Sequence, residues 1–506
     1  MKTDKTRNSV LNAITMILQT GVVSILSLIS TNLILKNYGS DFNGVVATAS
    51  QFINVLLIVE GGFSLAINVA LFKPYVNNEK DKINAIMSAA KNIFIKIGLI
   101  FLLCGLILSL VYPLFIKSSL DYLTIFLIFM MVVSATGFNL LFVTKSQIMF
   151  QVSQREYKYT FFGTIINLIA SLSTILLVYL HVNMLFVRLS ILLYSIINGI
   201  MIMMLYRHDF KNISLKVKPD YEAIKGTKDI MIQKLTSIIY LTTPMIFIST
   251  FISTKMASVY AVYYSIYNII KNFLSSMVSA PTNGFGQLLS SENRENSYKK
   301  YQIYEYIVII AATILLSSVL SVIIPFISLY TRDVLDINYV NTTISILMAV
   351  ILLLEIVHIP SGNIINVTGN FKVSKKIQII ACTVLVISLL IGGYLYGIYG
   401  ILIGTIITNI VLAYMEISYT HRKIFNKSIY NFLKKLIINV IVIVLLVSIE
   451  KSLLNTLSSY LLFFLTGFIV FIINFIVVIL VNIIFFKKDI ISLKSLLIEM
   501  VKKFKK

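Results

Sequence analysis

The chain has 506 residues, of which 58% are hydrophobic and 13% charged, with a mean hydropathy of +0.90 and a formal charge of +22. That composition excludes a soluble globular domain. In a soluble chain the charge would point to nucleic acid, but here the basic residues gather at the mouths of apolar runs, where anionic membrane lipids attract them, so no nucleic-acid partner is expected.

About fourteen apolar spans of roughly 20 residues or more, each long enough to cross ~30 Å of hydrocarbon, follow one another along the chain. They cover roughly 10–35, 42–72, 93–116, 122–144, 159–180, 184–206, 230–252, 257–280, 303–330, 339–368, 377–397, 401–420, 436–449 and 460–486. The predicted class is an all-α integral membrane protein. The run from Val10 is too long for a signal peptide and reads as the first transmembrane helix. There is no Trp, so Tyr residues near span ends, such as Tyr38, Tyr112, Tyr206 and Tyr330, supply the interfacial belt.

The basic residues separate by side. Of the 43 Lys and Arg residues, 34 fall in the two tails and in alternate gaps. The opposite gaps hold only Lys36, Lys117, Lys255, Arg332 and Lys451, and Lys96, Arg188, Lys234 and Lys271 lie within spans. Such a bias sets orientation, and it predicts both termini in the cytoplasm.

Connections on the outer side are short, and the longest cytoplasmic one, Arg207 to Asp229, carries six basic residues and Pro219. None can hold a soluble domain, and no GxxxxGK[ST] phosphate loop is present, so uphill transport would draw on an ion gradient, the membrane potential or the substrate's own gradient. The expected organisation is two pseudo-symmetric six-helix lobes: residues 1–206 (helices 1–6), a basic linker 207–229, and 230–420 (helices 7–12). Residues 421–506 add helices 13 and 14 and a basic tail. A faint internal repeat agrees with this: Ile29-Ser30-Thr31 with Lys36 returns as Ile248-Ser249-Thr250 with Lys255. Paired bundles that rock about a midplane site are a physical route to alternating access.

Ionisable groups inside hydrocarbon cost several kcal/mol unless they meet water or a partner, so they are functional candidates by default. Lys271 and Arg188 can line a cationic cavity for an anionic head group, because ammonium and guanidinium pair well with phosphate oxygens. Glu60, beside Gly61 and Gly62, and the pair Glu355 and His358, on one face of the tenth span with Pro360 and Gly362 beyond, can bind a coupling ion. The structural alternatives are an ion pair between Glu60 and Lys271, snorkelling of Lys271 and Arg188 to an interface, and a His358 that merely satisfies Glu355.

No catalytic constellation stands out. His181, His208, His358 and His421 have no metal-ligand spacing, and Cys104 and Cys382 offer neither a disulfide framework nor a zinc site. No metal, cofactor or enzymatic activity is expected. A membrane-embedded polysaccharide polymerase would need acidic groups on sizeable outer loops, whereas Asp41, Asp121, Asp333, Asp336 and Glu450 stand on short connections.

Three stretches carry a family resemblance. Tyr38 to Ile83 (YGSDFNGVVATASQFINVLLIVEGGFSLAINVALFKPYVNNEKDKI) resembles the second-helix region of bacterial polysaccharide flippases. Pro325 to Val340 resembles their ninth-to-tenth helix connection, and Gly369 to Thr408 is similar to their tenth-to-twelfth helix region. The resemblance implies the polysaccharide transport branch (O-antigen or capsule type) of the multidrug/oligosaccharidyl-lipid/polysaccharide (MOP) exporter superfamily. It implies movement of undecaprenyl-diphosphate-linked oligosaccharide across the bacterial cytoplasmic membrane, with polysaccharide polymerase machinery as a partner. It also implies a V of two lobes around a cavity lined by helices 1, 2, 7 and 8, which Glu60 and Lys271 would face. The family's Glu-Leu-Gly-like centre reads Glu60-Gly61-Gly62 here, and its cavity arginines are not evident, so Lys271 stands as their substitute. Three rivals share much of this evidence: an ion-coupled multidrug exporter of the same superfamily, a peptidoglycan precursor flippase, and the polymerase.

Overall fold

The computed structural model describes residues 2–224, 228–279, 294–453 and 459–491, without the side chains of residues 2–6, 9, 10, 13, 59, 61, 228–234, 279 and 453. Residues 225–227 of the expected linker, the Lys234 side chain and the basic tail beyond residue 491 lie outside that set. The fold is 88% helical, and no strand occurs among the described residues.

The helices run α1 Lys2–Leu56, α2 Ile58–Val76, α3 Lys80–Val111, α4 Tyr122–Phe138, α5 Thr144–Val152, α6 Glu156–Tyr179, α7 Met184–Asp209, α8 Lys228–Phe247 and α9 Thr254–Ser279. They continue with α10 Arg294–Tyr330, α11 Thr342–Val357, α12 Ile359–Val367, α13 Phe371–Tyr419, α14 Tyr430–Leu453 and α15 Tyr460–Phe485. Lines of small residues set the packing: inside a bilayer, helices gain little from hydrophobicity and associate through close contact. Between α3 and α4 with its continuation, Gly98 receives Leu141, Gly105 receives Val133 and Gly137 receives Leu102.

Eleven helical segments among the described residues are long and apolar enough to cross a membrane. Two of them join expected spans: Phe371–Ile424 runs through 377–397 and 401–420, and Ile14–Leu56 runs from the first expected span into the first half of 42–72, whose remainder belongs to α2. A 54-residue straight helix would be about 80 Å long, but both segments break at a glycine with positive φ, Gly39 (φ 82°) and Gly397 (φ 56°), a conformation that side-chain-bearing residues avoid. At Gly397 the chain reverses, since Ser388 Oγ donates to Gly404 O at 3.1 Å and the backbones of Gly392 and Gly400 touch. The expected eighth span, α9, is not among the eleven. Its Tyr260, Tyr263, Tyr264, Tyr267 and Lys271 make it too polar.

The helices form two compact units, Met1–Ala261 and Val262–Lys506, so the division expected at 207–229 lies inside the first. In the first unit one apolar core joins α2, α3, α5 and α7 around Ile67, Phe94, Phe150 and Ile202. A second joins the part of α1 after Gly39 to α4, α6 and α7 around Phe42, Phe129, Val178 and Val187. The described part of the expected linker packs on the first unit: Ser88 Oγ donates to Val217 O (2.9 Å), Ser214 N to Asn84 Oδ1 (3.0 Å), Asp220 N to Ala85 O (3.1 Å), and Ile224 enters the first core. In the second unit, Tyr306, Ile314, Val442 and Val478 pack α10 against α14 and α15, and Ile309, Val357, Ala413 and Phe432 join α10, α11, α13 and α14.

Candidate functional site

In the second unit, three side chains of α9 reach α11 and the residues just before it. Tyr263 Oη donates to Tyr339 O (2.9 Å) and Tyr267 Oη to Ser345 O (2.8 Å). One turn beyond, on the same face of α9, Lys271 Nζ meets Glu355 Oε2 at 2.8 Å, with side chains 21% and 14% exposed. The lysine charge is thus matched by a carboxylate from its own unit.

Past Glu355 the helix breaks. His358 closes α11 and opens α12, with Pro360 in the first turn of α12, where its missing N–H is tolerated. His358 Nδ1 lies 2.8 Å from Glu416 Oε2 on α13, so Glu355 and His358 share a face yet serve different partners. Gly362 leaves room for that carboxylate: a Cβ there would stand 2.7 Å from Glu416 Oε2.

A third pair lies at the end of α13, where residues 420–424 form a π turn. His421 Nε2 is 3.1 Å from both oxygens of Glu305 on α10, and both residues are buried. Tyr301 Oη donates to Glu305 (2.6 Å) and contacts Ser361 Oγ of α12 (2.6 Å), while Tyr298 Oη lies 3.2 Å from His421 Nδ1. Glu305, Glu416 and His421 were not among the residues singled out from sequence. Glu305 and Glu416 nevertheless fall within the expected spans 303–330 and 401–420, so the burial-cost argument that flagged Glu355 applies to them equally.

In the first unit, Arg188 stands on α7 just inside the Asn183 cap, whose side chain accepts from Leu185 N at 2.9 Å. Its guanidinium carbon lies 5.8 Å from the centroid of the Phe42 ring, and its Nε is buried without a hydrogen-bond partner among the described residues. Glu60 sits in the first turn of α2, where the helix start favours a negative charge, and Ser64 Oγ donates to its carboxylate. Asp41 was read as an outer-connection residue but is buried. It accepts hydrogen bonds from Ser118 Oγ (2.9 Å), the backbone N and side chain of Ser119, and Thr254 Oγ1. It ties the turn after Gly39 to the α3–α4 connection and the start of α9.

Among the described residues no three His, Cys, Asp or Glu side chains converge to hold a metal ion. No protein-family model and no curated sequence matches the chain. Solved structures do. The chain is similar to the lipid II flippase MurJ in an inward closed conformation, with a TM-score of 0.70 and 15% identity over 94% of this chain and 100% of that one. It is similar to an inward-facing multidrug resistance MATE family transporter of the MOP superfamily (TM-score 0.65, 13% identity, 87% and 98% covered). It is also similar to a MOP superfamily transporter from Pyrococcus furiosus (TM-score 0.56, 12% identity, 87% and 96% covered). The fold is therefore that of multi-pass membrane transporters. More particularly, it is the fold shared by MurJ and the MATE proteins.

Proposed function

We propose that the chain is a MOP superfamily flippase of the bacterial cytoplasmic membrane that moves undecaprenyl-diphosphate-linked oligosaccharide repeat units by alternating access, for surface polysaccharide synthesis. Arg188 carries the reading: a guanidinium within an apolar helix, with a buried donor that finds no acceptor among the described residues, on a fold shared with a lipid II flippase. A buried donor without a partner costs about 1–3 kcal/mol, and a diphosphate oxygen would satisfy it. Lys271 serves as the second cation. Because Glu355 holds it at 2.8 Å, a diphosphate reaching it competes with that carboxylate, which allows release as well as capture.

The physical task is to carry a sugar diphosphate past hydrocarbon without stripping it of water, since each unpaired polar group costs several kcal/mol there. Polar and cationic side chains on the transporter helices lower that barrier while the polyprenyl chain stays in lipid. The MurJ likeness favours a peptidoglycan precursor as a second cargo, and the same chemistry would serve it.

Depletion of the protein in its own cells, followed by extraction of membrane lipids, tests the assignment. Accumulated lipid-linked oligosaccharide with unchanged drug sensitivity is expected. A normal lipid-linked pool together with raised sensitivity to cationic drugs would replace it with the multidrug exporter.

A further inference from the structure

Where α2, α5 and α7 end and α3 and α6 begin, the first unit holds a cavity of about 220 Å³ lined by Tyr75, Lys80, Asn84, Arg155, Asp209 and Phe210, with Asn212 and three apolar side chains completing it. The connections around it, 77–79, 153–155 and 210–213, lie on the side that carries most of the basic residues, which the charge bias assigns to the cytoplasm. Sites for drug-sized ligands run to about 300–1,000 Å³. This cavity therefore suits a head group and not an oligosaccharide.

The carboxylate in its wall is already matched. Asp209, with a side chain 6% exposed, is held by Lys158 Nζ and meets His208 Nδ1 through Oδ1 at 3.1 Å. Arg155 Nη1 stands 3.8 Å from Asp209 Oδ2, near enough for an ion pair but too far for a hydrogen bond, so its guanidinium keeps its donors for a ligand. Lys80 makes no ion pair among the described residues, since the adjacent Glu79 is taken by Lys82 at 2.7 Å and by Asn77 at 2.9 Å. Lys80 also opens α3, and a helix N-terminus favours negative charge. Asn84 accepts from Ser214 N through Oδ1 (3.0 Å), which leaves its NH2 as the group it can offer. A guanidinium, an ammonium and an amide donor beside a neutralised carboxylate match phosphate oxygens.

We propose that this cavity binds the phosphate group of an anionic membrane phospholipid, with Arg155 and Lys80 on the phosphate oxygens and Asn84 donating beside them. Two observations favour a lipid over a soluble phosphate. The site lies at the ends of apolar helices, at the level where head groups of the anionic inner leaflet gather. Phe72 and Val76, four residues apart on one face of α2, are 49% and 62% exposed next to Tyr75, which gives the acyl chains apolar surface beside the cavity. A bound lipid would join the three connections and stabilise the folded protein by mass action. The inference does not depend on which cargo the protein moves.

The test titrates the purified full-length protein, delipidated in detergent at about 0.15 M salt to screen general surface attraction, with phosphatidylglycerol, phosphatidylcholine or inorganic phosphate. Native mass spectrometry counts the bound lipid and thermal unfolding follows Tm. Phosphatidylglycerol should bind and raise Tm with concentration; phosphatidylcholine, whose choline cation the site repels, should bind about tenfold more weakly, and inorganic phosphate at the same concentration should leave Tm unchanged. K80Q/R155Q should weaken phosphatidylglycerol binding about tenfold. K372Q/K376Q, which removes the same charge from two exposed lysines of the second unit, should change it by less than about twofold. Should K80Q/R155Q fail to fold, N84D keeps the bond from Ser214 N and sets a carboxylate in the cavity, and it should weaken binding likewise. Equal weakening by the two double variants, equal binding of the two lipids, or unaltered binding in N84D would overturn the site. A rise in Tm with inorganic phosphate and none with phosphatidylglycerol would overturn the lipid as its source.

Discussion

The Lys271–Glu355 pair gives the most quantitative test of how this fold keeps charge inside apolar helices. Replacing Glu355 by Leu leaves an ammonium that is 21% exposed without its counter-charge. Orphaning a fully buried partner costs about 3–5 kcal/mol, and the residual exposure lowers that to roughly 2 kcal/mol. In a unit of this size that corresponds to a fall in Tm of about 4–8 °C. Lys271→Met leaves Glu355 unpaired and should lose a similar amount. The double variant Lys271→Met/Glu355→Leu removes both charges, and because apolar residues of similar volume replace buried pairs at little cost, it should recover most of the loss. The assay is thermal unfolding of the four proteins in one detergent, combined as a double-mutant cycle. Additive losses, with the double variant the least stable, would refute the pairing.

Three further outcomes follow from single sites. Arg188→Met should leave stability within about 1 kcal/mol of wild type, since it removes a buried donor with no acceptor among the described residues, while lowering flipping of lipid-linked oligosaccharide tenfold or more; a loss of stability that accounts for the loss of transport would mean a structural role. Gly392→Ala would place a Cβ 2.5 Å from Gly400 O, so the α13 hairpin must spread, at about 1–3 kcal/mol for overpacking; an unchanged Tm would contradict the close backbone approach. Asp121 caps α4 by accepting from Thr124 Oγ1 (2.6 Å) and Thr124 N (3.0 Å), bonds that hold its carboxyl below the usual carboxylate range. A depressed folded-state pKa means this stabilisation is present at neutral pH and is lost as pH falls through the folded value, so amide exchange at 122–125 should accelerate in acid beyond its intrinsic pH dependence and Asp121→Asn should flatten that response.

Much of the fold was legible because lipid imposes a simple rule, that apolar segments must be helical and long. The sequence gaps at 36–41 and 398–400 flank or contain two positive-φ glycines, Gly39 and Gly397, at which long helices break. Pro360 and Gly362 marked the α11–α12 break, which falls at His358. At Glu60 the flexible pair Gly61-Gly62 drew attention, but the helix breaks earlier, at Leu57, and this places Glu60 in a first turn where its charge is accommodated. Pairing was not legible. Spacing on one helix puts Glu355 and His358 on a common face, but which residue answers them depends on α9 and α13, distant in sequence. Asp41 was hidden for the same reason: its hydrogen-bond donors come from 118, 119 and 254.

The central claim is that this chain carries a lipid-linked sugar diphosphate from the inner to the outer leaflet. The most direct measurement is the sidedness of lipid-linked oligosaccharide in spheroplasts, read with a membrane-impermeant glycosidase before and after depletion of the protein. The account predicts that the accessible fraction falls at least tenfold on depletion and returns with the wild-type chain but not with Arg188→Met. An accessible fraction unchanged by depletion would contradict it.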